Sequence, residues 1–358
     1  MKKYTVALSG LGSRGMIFLK SFLACSDRLE VVGLCSRESD RLEKAKVLCS
    51  DNIKTFSDTE NMLRDTKPDI FAFVTYPNIR KSYIELGAKY CVQSIIFEKP
   101  MAESYKEAED IIKICHENHI KAVVSQQQKY LPQMLHLKET IDSGQIGEIQ
   151  SVHANTKCHF MEQGTHFIDY ALWALGGIHA KSAAGHVHGR ERFADKSPSA
   201  DYLMGTIQMA NDVRIYFESG YLSPSGPHKD EFYTDARLQV YGSNGYVYAE
   251  TGGSWGECSR RTGMIPQYGR EKGWGENELN IQVLFNHDLI KWLDGGISSP
   301  CNVDISLHGF EILQGLVVSA LEYKRADFPL PACDKYDMLD ALKRNLPSVE
   351  TYKKFLNR

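Results

Sequence analysis

The chain has no run of about 18 apolar residues, the length a membrane-crossing helix needs, so no membrane span is expected. It has no basic block either. The formal net charge is −3 and the lysines and arginines are dispersed, so neither nucleic acid nor an anionic membrane is expected as a partner. No two of the nine cysteines form a C-x-x-C pair, their number is odd, and several fall within apolar patterns. Reduced, buried thiols in a reducing compartment follow as the expectation. Internal repeats and low-complexity tracts are lacking. Met1-Lys2-Lys3 leads directly into a strand pattern, so no signal peptide is expected and the cytoplasm is the expected compartment. Twelve histidines are present, but His159 and His166 are too far apart for one helical face, and His186 and His188 share a strand face without a visible third ligand. No metal site is therefore expected.

What is present begins at Tyr4. The apolar run Val6-Ala7-Leu8 breaks into Gly10-Leu11-Gly12-Ser13-Arg14-Gly15, and a helical pattern follows. Each glycine of this G-x-G-x-x-G spacing has a job in a dinucleotide site. Gly10 permits a tight turn, Gly12 lets backbone approach a pyrophosphate, and Gly15 allows helix to pack closely on strand. The helix amino terminus then offers N–H groups to phosphate. Glycine-rich turns are common, and it is the strand before and the amphipathic helix after that give this one its meaning.

Strand and helix patterns alternate from there to Ser125. Strands are expected at Leu29–Cys35, Ile70–Thr75, Ser94–Phe97 and Lys121–Ser125, and helices at 40–47, 58–64, up to Lys89, and 105–118. Such alternation implies a parallel sheet with right-handed crossovers. After Ser125 the chain reads as strands with one embedded helix, Gly164–Leu175, and two late amphipathic helices, Leu279–Leu293 and Val303–Tyr323. The expected fold class is α/β: a dinucleotide-binding Rossmann domain over 1–125, then a substrate-binding and oligomerisation α/β domain over 126–358 with a large mixed or antiparallel open sheet. The late helices can pack back on the first domain. Thr251–Gly275 reads as a flexible glycine-rich loop carrying Trp255, Tyr268, Trp274, Arg260, Arg261 and Arg270, suited to a sugar or to its own packing.

The end of the second strand faces the adenosine ribose. A carboxylate there favours NAD. This chain has Ser36 and Arg37: the serine removes repulsion towards a 2′-phosphate and the guanidinium can pair with it, which favours NADP. The competing reading is a solvated arginine with NAD held another way. Strand ends supply the rest of the expected cofactor set: Thr75, Tyr76 and Pro77, then Glu98, Lys99 and Pro100, beside Gly10, Gly12, Ser13, Arg14 and Gly15.

Two places could do chemistry. Lys99 stands where a nicotinamide lies, within reach of a substrate hydroxyl, and Pro100 restrains it; a surface lysine is the alternative. His166 falls in the first turn of the embedded helix, whose positive end disfavours imidazolium, with Asp169 three positions on as a group that could fix its tautomer. Glu162 lies just outside that helix. Here the alternative is a packing histidine with a surface aspartate.

With these pieces assembled, the chain resembles the family of glucose–fructose oxidoreductase and myo-inositol dehydrogenase over essentially its whole length. The resemblance rests, in order, on Gly10–Gly15, Phe97-Glu98-Lys99-Pro100-Met101-Ala102, Ile141–Ile149, and Gly164-Thr165-His166-Phe167-Ile168-Asp169 with Trp173. It implies that Lys99 and His166 act in proton transfer at the nicotinamide, and that the open sheet mediates a homo-oligomer, dimer or tetramer. It further implies hydride transfer with a carbohydrate, cyclitol or polyol as small-molecule substrate and NADP or NAD as cofactor. Two departures stand out: Glu162 occupies the place of an aspartate in the inositol-type members, and Ser36 that of an acidic residue in NAD-using ones. A hydrolase or lyase that oxidises its sugar only transiently, and a non-catalytic dinucleotide-sensing regulator, are the rival activities on this fold.

Overall fold

The computed structural model describes residues 2–49, 53–191, 199–224, 234–331 and 338–346. Cys333 lies outside them; the other eight cysteines are free thiols, five of them buried. The chain divides into two compact units.

The first unit comprises residues up to Glu103, 107–130 and 277–307. Its strands are β1 (Tyr4–Ser9), β2 (Leu29–Cys35), β3 (Lys54–Phe56), β4 (Ile70–Phe73), β5 (Ser94–Phe97) and β6 (Lys121–Val124). Between them run α1 (Ser13–Ala24), α2 (Ser39–Lys46), α3 (Thr59–Thr66), α4 (Arg80–Lys89) and α5 (Tyr105–Glu117). All pairings are parallel, in the order β3-β2-β1-β4-β5-β6. That is the Rossmann order, with its reversal between β1 and β4. The short apolar strands IFAF and SIIF are wholly buried, as strands covered on both faces must be. Helix α1 packs on β1 and β2, and its Phe18, Leu19 and Phe22 are fully buried.

The second unit holds residues 104–106, 131–276 and 308 onward. It contains α6 (Pro132–Asp142), β7 (Ile149–Thr156), α7 (Thr165–Ala174), β8 (Ala180–His188), β9 (Tyr202–Met209), β10 (Arg214–Gly220), β11 (Ala236–Gly242), β12 (Gly245–Glu250), β13 (Ser254–Cys258) and β14 (Gln267–Arg270). The later elements are α8 (Trp274–Leu293), α9 (Val303–Glu322), β15 (Ala326–Asp327) and α10 (Met338–Asn345). Most of α8 belongs to the first unit, and most of α9 to the second. Nine strands form one sheet in the order β14-β13-β12-β11-β7-β10-β9-β8-β15. Among the described residues only β7 and β10 of this sheet pair in parallel, so the sheet is mixed. Residues alternate cleanly: Val152, Ala154, Ile215, Phe217, Leu238 and Val240 are buried on one face. The other face carries His153 packed between Tyr216 and Tyr241.

One stretch differs from the sequence expectation. Thr251–Gly275 is not a loop: it supplies β13 and β14, continuing the antiparallel run from β12. Its glycines make room rather than flexibility. A Cβ on Gly256 would lie 2.2 Å from the Tyr248 ring, and one on Gly269 2.4 Å from the Trp255 indole. Rings that cross neighbouring strands need such gaps. Among the described residues no helix is long and apolar enough to cross a membrane.

Candidate functional site

The turn after β1 is built by the absence of side chains. Gly10 sits at φ +92°, and a Cβ there would come 2.2 Å from the Val74 carbonyl oxygen; one on Gly15 would lie 1.9 Å from the Gly10 oxygen. Turn, helix and strand can be this close only with glycine at both positions. Gly12 is the first residue before α1, in extended conformation, and no side chain caps the helix. Its N-terminal turn therefore presents N–H groups as an anion site does. Beside it opens a cavity of about 490 Å³, lined by Gly10, Ser36, Arg37, Glu38, Arg41, Thr75 and Tyr76 among others. Thr75 Oγ1 is buried there without a hydrogen-bond partner among the described residues. A polar ligand is what such an atom requires. Glycine turn, uncapped helix end and orphaned hydroxyl together fit the adenosine and pyrophosphate portion of a dinucleotide.

The expected residues at the end of β2 line this cavity, and a further one joins them. Arg41 reaches back from α2, its Nη1 only 3.5 Å from where a Cβ on Gly12 would lie, while its Nε pairs with Glu38 at 2.7 Å. The sequence signal for Arg41 was its spacing, four residues beyond Arg37 and one turn on. Ser36 Oγ accepts from the Glu38 N–H, which shapes the same corner. Beneath it, Ser9, Thr59 and Tyr83 join hydroxyls in a line.

At the end of β5, Glu98 is buried and Lys99 half-buried. Arg14 does not direct its charge at the phosphate turn. Its guanidinium binds Glu98 Oε1 at 2.8 Å, Glu278 Oε1 at 3.0 Å and Gln282 Oε1 at 2.6 Å. It thus fixes the carboxylate beside Lys99. Arg80, not anticipated from sequence, is almost fully buried at the start of α4. Its Nη2 donates to the carbonyls of Thr75 at 2.9 Å and Lys99 at 3.1 Å, tying the ends of β4 and β5 together. Burial pushes this guanidinium down to about 10, against the pull of Glu98, Glu107 and Glu103.

In the second unit a single π-helical turn, Phe160–Gly164, runs into α7. Gly164 is itself helical, so His166 does not stand at a free helix terminus: the helix begins one turn earlier. His166 and Asp169 are both buried, and the His166 ring stacks on Tyr170 with centroids 5.5 Å apart. Asp169 is thus not the surface aspartate of the alternative reading. Glu162, on the π turn, is part-exposed, and its Oε2 lies 3.1 Å from His159 Nε2. Single π turns concentrate at functional sites.

Comparison with known proteins fits this geometry. Residues 4–126 match the model of the oxidoreductase family with NAD-binding Rossmann fold, and residues 134–248 match the GFO/IDH/MocA C-terminal domain. An uncharacterized oxidoreductase of Schizosaccharomyces pombe is 22% identical over 51% of this chain; the match spans 54% of that protein's length, about half. Among solved structures, the fold is similar to the WlbA dehydrogenase of Bordetella pertussis in complex with NADH and UDP-GlcNAcA (TM-score 0.72, 18% identity, 92% of this chain and 100% of that one). It is likewise similar to levoglucosan dehydrogenase in complex with NADH and L-sorbose (TM-score 0.77, 16% identity, 92% and 100%). With both family models matched in order, the glycine turn on the first and the His166 helix within the second, the chain belongs to the GFO/IDH/MocA family of NAD-binding oxidoreductases.

Proposed function

We propose that the protein is an NAD(P)-dependent dehydrogenase or reductase acting on a secondary hydroxyl or ketone of a sugar, cyclitol or related polyol. The observation that carries this is the glycine turn opening on a cavity edged by Ser36, Arg37 and Thr75, with Lys99 held at the neighbouring strand end. Fold neighbours crystallised with NADH and a sugar support the substrate class. The bound nicotinamide supplies the redox chemistry, and the protein supplies position and electrostatics. Gly10, Gly12, Ser13 and Gly15 receive the pyrophosphate on backbone. Ser36 and Arg37 take the adenosine end, with Thr75, Tyr76 and Pro77 along the next strand end and Glu98, Lys99 and Pro100 beside the ring. Lys99 and His166 handle the hydroxyl proton, one as acid or base and the other as its partner or as an anchor of substrate. Asp169 orients the imidazole, and Glu162 receives substrate hydroxyls.

NADP is the preferred cofactor in this reading, because Arg37 is exposed on the cavity rim and Arg41 stands a turn away. Glu38 lines the same cavity and gives NAD a ribose acceptor, though Arg41 already occupies its carboxylate. The reading extends to a homo-oligomer, through the sheet face where Tyr216 and Tyr241 stay more than a third exposed around His153. Fluorescence titration with NADPH and NADH side by side, followed by a sugar and polyol screen at the reduced-nicotinamide absorbance, tests the proposal. Tighter NADPH binding with net reduction by a polyol is the expected result. Tighter NADH binding would move the adenosine role to Glu38. Product formation without net reduction would replace the dehydrogenase with a lyase or hydrolase.

A further inference from the structure

The π turn brings together three side chains that the sequence did not suggest as a set. Cys158 Sγ lies 3.5 Å from Glu162 Oε2, His159 Nε2 lies 3.1 Å from the same oxygen, and all three atoms fall within 4.8 Å of one another. We propose that Cys158, His159 and Glu162 form a binding site for one divalent transition-metal ion of the zinc type.

The two separations from Glu162 Oε2, 3.5 Å to sulfur and 3.1 Å to nitrogen, are close to those of ligands around a small ion. Bonds of about 2.3 Å to sulfur and about 2.0–2.1 Å to nitrogen and oxygen, at tetrahedral angles, put neighbouring ligand atoms roughly 3.3–3.5 Å apart. A thiolate, an imidazole and a carboxylate are also the donor set that zinc and cobalt take in preference to magnesium or calcium. Three protein ligands leave a fourth position for water or another oxygen, the pattern of open rather than closed sites.

The cluster is held before any ion arrives. The Cys158 N–H donates to Thr156 Oγ1, and its carbonyl accepts from Ser219 Oγ at 2.8 Å. The His159 carbonyl collects the N–H groups of Glu162, Gln163 and Gly164 at 3.1, 3.2 and 3.4 Å. Thr165 Oγ1 donates to the Glu162 carbonyl at 3.0 Å. Main chain on both sides of the cluster is therefore pinned. Cys158 and His159 are buried, while Glu162 is part-exposed and marks the open side. His159 Nε2, at 3.1 Å from Glu162 Oε2, is the nitrogen that faces the cluster.

The same distances suit a protonated thiol and an imidazole both donating to Glu162. The difference is one proton. When the ion binds, metal–sulfur and metal–nitrogen bonds form, the thiol proton leaves to solvent, and the imidazole proton moves from Nε2 to Nδ1 so that the Nε2 lone pair faces the ion. The binding claim does not depend on the proposed dehydrogenase activity. Where both hold, Glu162 reaches substrate hydroxyls through the ion's open position rather than directly.

The test is cobalt(II) titration of the chelator-treated full-length protein, with the metal alone. The expected result is one cobalt per chain, a near-ultraviolet thiolate-to-cobalt charge-transfer band with visible bands of a four-coordinate ion, and displacement by zinc. Cys158→Ser should abolish the charge-transfer band, and Cys258→Ser, at a part-exposed thiol outside the cluster, should keep it. Glu162→Gln, at a part-exposed position that should fold even where Cys158→Ser does not, should weaken zinc binding by at least about tenfold. No stoichiometric band in the wild type, a band that survives Cys158→Ser, or zinc affinity unchanged in Glu162→Gln would each overturn the site. NADH titration of the same samples reads the nucleotide proposal separately.

Discussion

Two turns in this molecule are shaped by opposite means. The turn at Gly10–Gly15 works because side chains are missing: a carbonyl stands 2.2 Å from where a Cβ on Gly10 would be. The turn at Cys158–His166 works through side chains, with a π-helical step setting Cys158, His159 and Glu162 around one point. Bare backbone recognises what every dinucleotide shares, its pyrophosphate. Side chains recognise something particular. The first turn can thus serve a whole family, while the second is where one member's chemistry can diverge from another's.

The largest expected effect comes from breaking the first turn. Gly10→Ala places a Cβ against the Val74 carbonyl and forces a left-handed conformation on alanine, with strain of order 1–3 kcal/mol from the backbone alone. Loss of dinucleotide binding, with a marked fall in melting temperature, is expected by fluorescence titration and thermal denaturation. The matching change in the second turn is Gly164→Ala. Gly164 is helical, and its Cβ would meet Phe160, Ser219 and Phe217 at 2.9–3.1 Å, so buried Phe160 must shift but the backbone conformation suits alanine. NADH affinity should stay unchanged there while kcat/KM falls. Equal loss of nucleotide affinity in both variants would remove the division of labour.

Lys99→Ala should come next. Losing acid–base assistance lowers turnover by at least about 10²-fold. Cofactor binding should persist, because the proposed role of Lys99 is at the ring and not at the pyrophosphate. Near-normal turnover would take Lys99 out of the mechanism and leave proton handling to His166 alone. Arg37→Ala is expected to be smaller and selective. A charge-assisted hydrogen bond is worth about 1.5–3 kcal/mol, so NADPH affinity should fall roughly tenfold to a hundredfold and NADH affinity little. A parallel fall for both would assign Arg37 to the pyrophosphate.

The two turns also differ in how well they could be read. G-x-G-x-x-G announces itself, because glycine spacing is the mechanism. The parallel sheet around it followed from alternation of short apolar runs and helices; the strand order did not. Arg80 was not legible, and Arg41 only through its spacing from Arg37. Arg80 matters through two carbonyls from strand ends distant in sequence, which no local pattern encodes. Cys158 and His159 were adjacent in sequence yet silent, since only the π turn carries Glu162 round to them. Strands β13 and β14 were hidden for a different reason: the glycines that fit Tyr248 and Trp255 also imitate a loop. Position and periodicity were readable, and side-chain convergence across turns was not.

Acid stability gives the smallest effect and one specific to the second unit. Glu311 is buried, which opposes its ionisation, but hydrogen bonds from His308 and from the Leu330 N–H outweigh burial and hold its carboxyl below the usual range. His308 Nε2 already accepts the Ala180 N–H at 3.0 Å, so Nδ1 carries the proton that Glu311 receives. Protonating that imidazole would sacrifice the Ala180 bond. A carboxylate whose folded pKa is depressed stabilises the protein above its unfolded value, about 4.3 for glutamate, and that contribution disappears as pH falls through the folded value. Glu311→Gln should therefore lower stability at neutral pH and flatten the loss of stability on acidification, moving the acid midpoint by less than about one pH unit. Circular dichroism followed from pH 7 downward checks it. A midpoint and slope identical to wild type would mean that acid unfolding is set elsewhere, with Asp69 of the first unit, which accepts from the Thr5 N–H and hydroxyl, as the carboxylate to replace next.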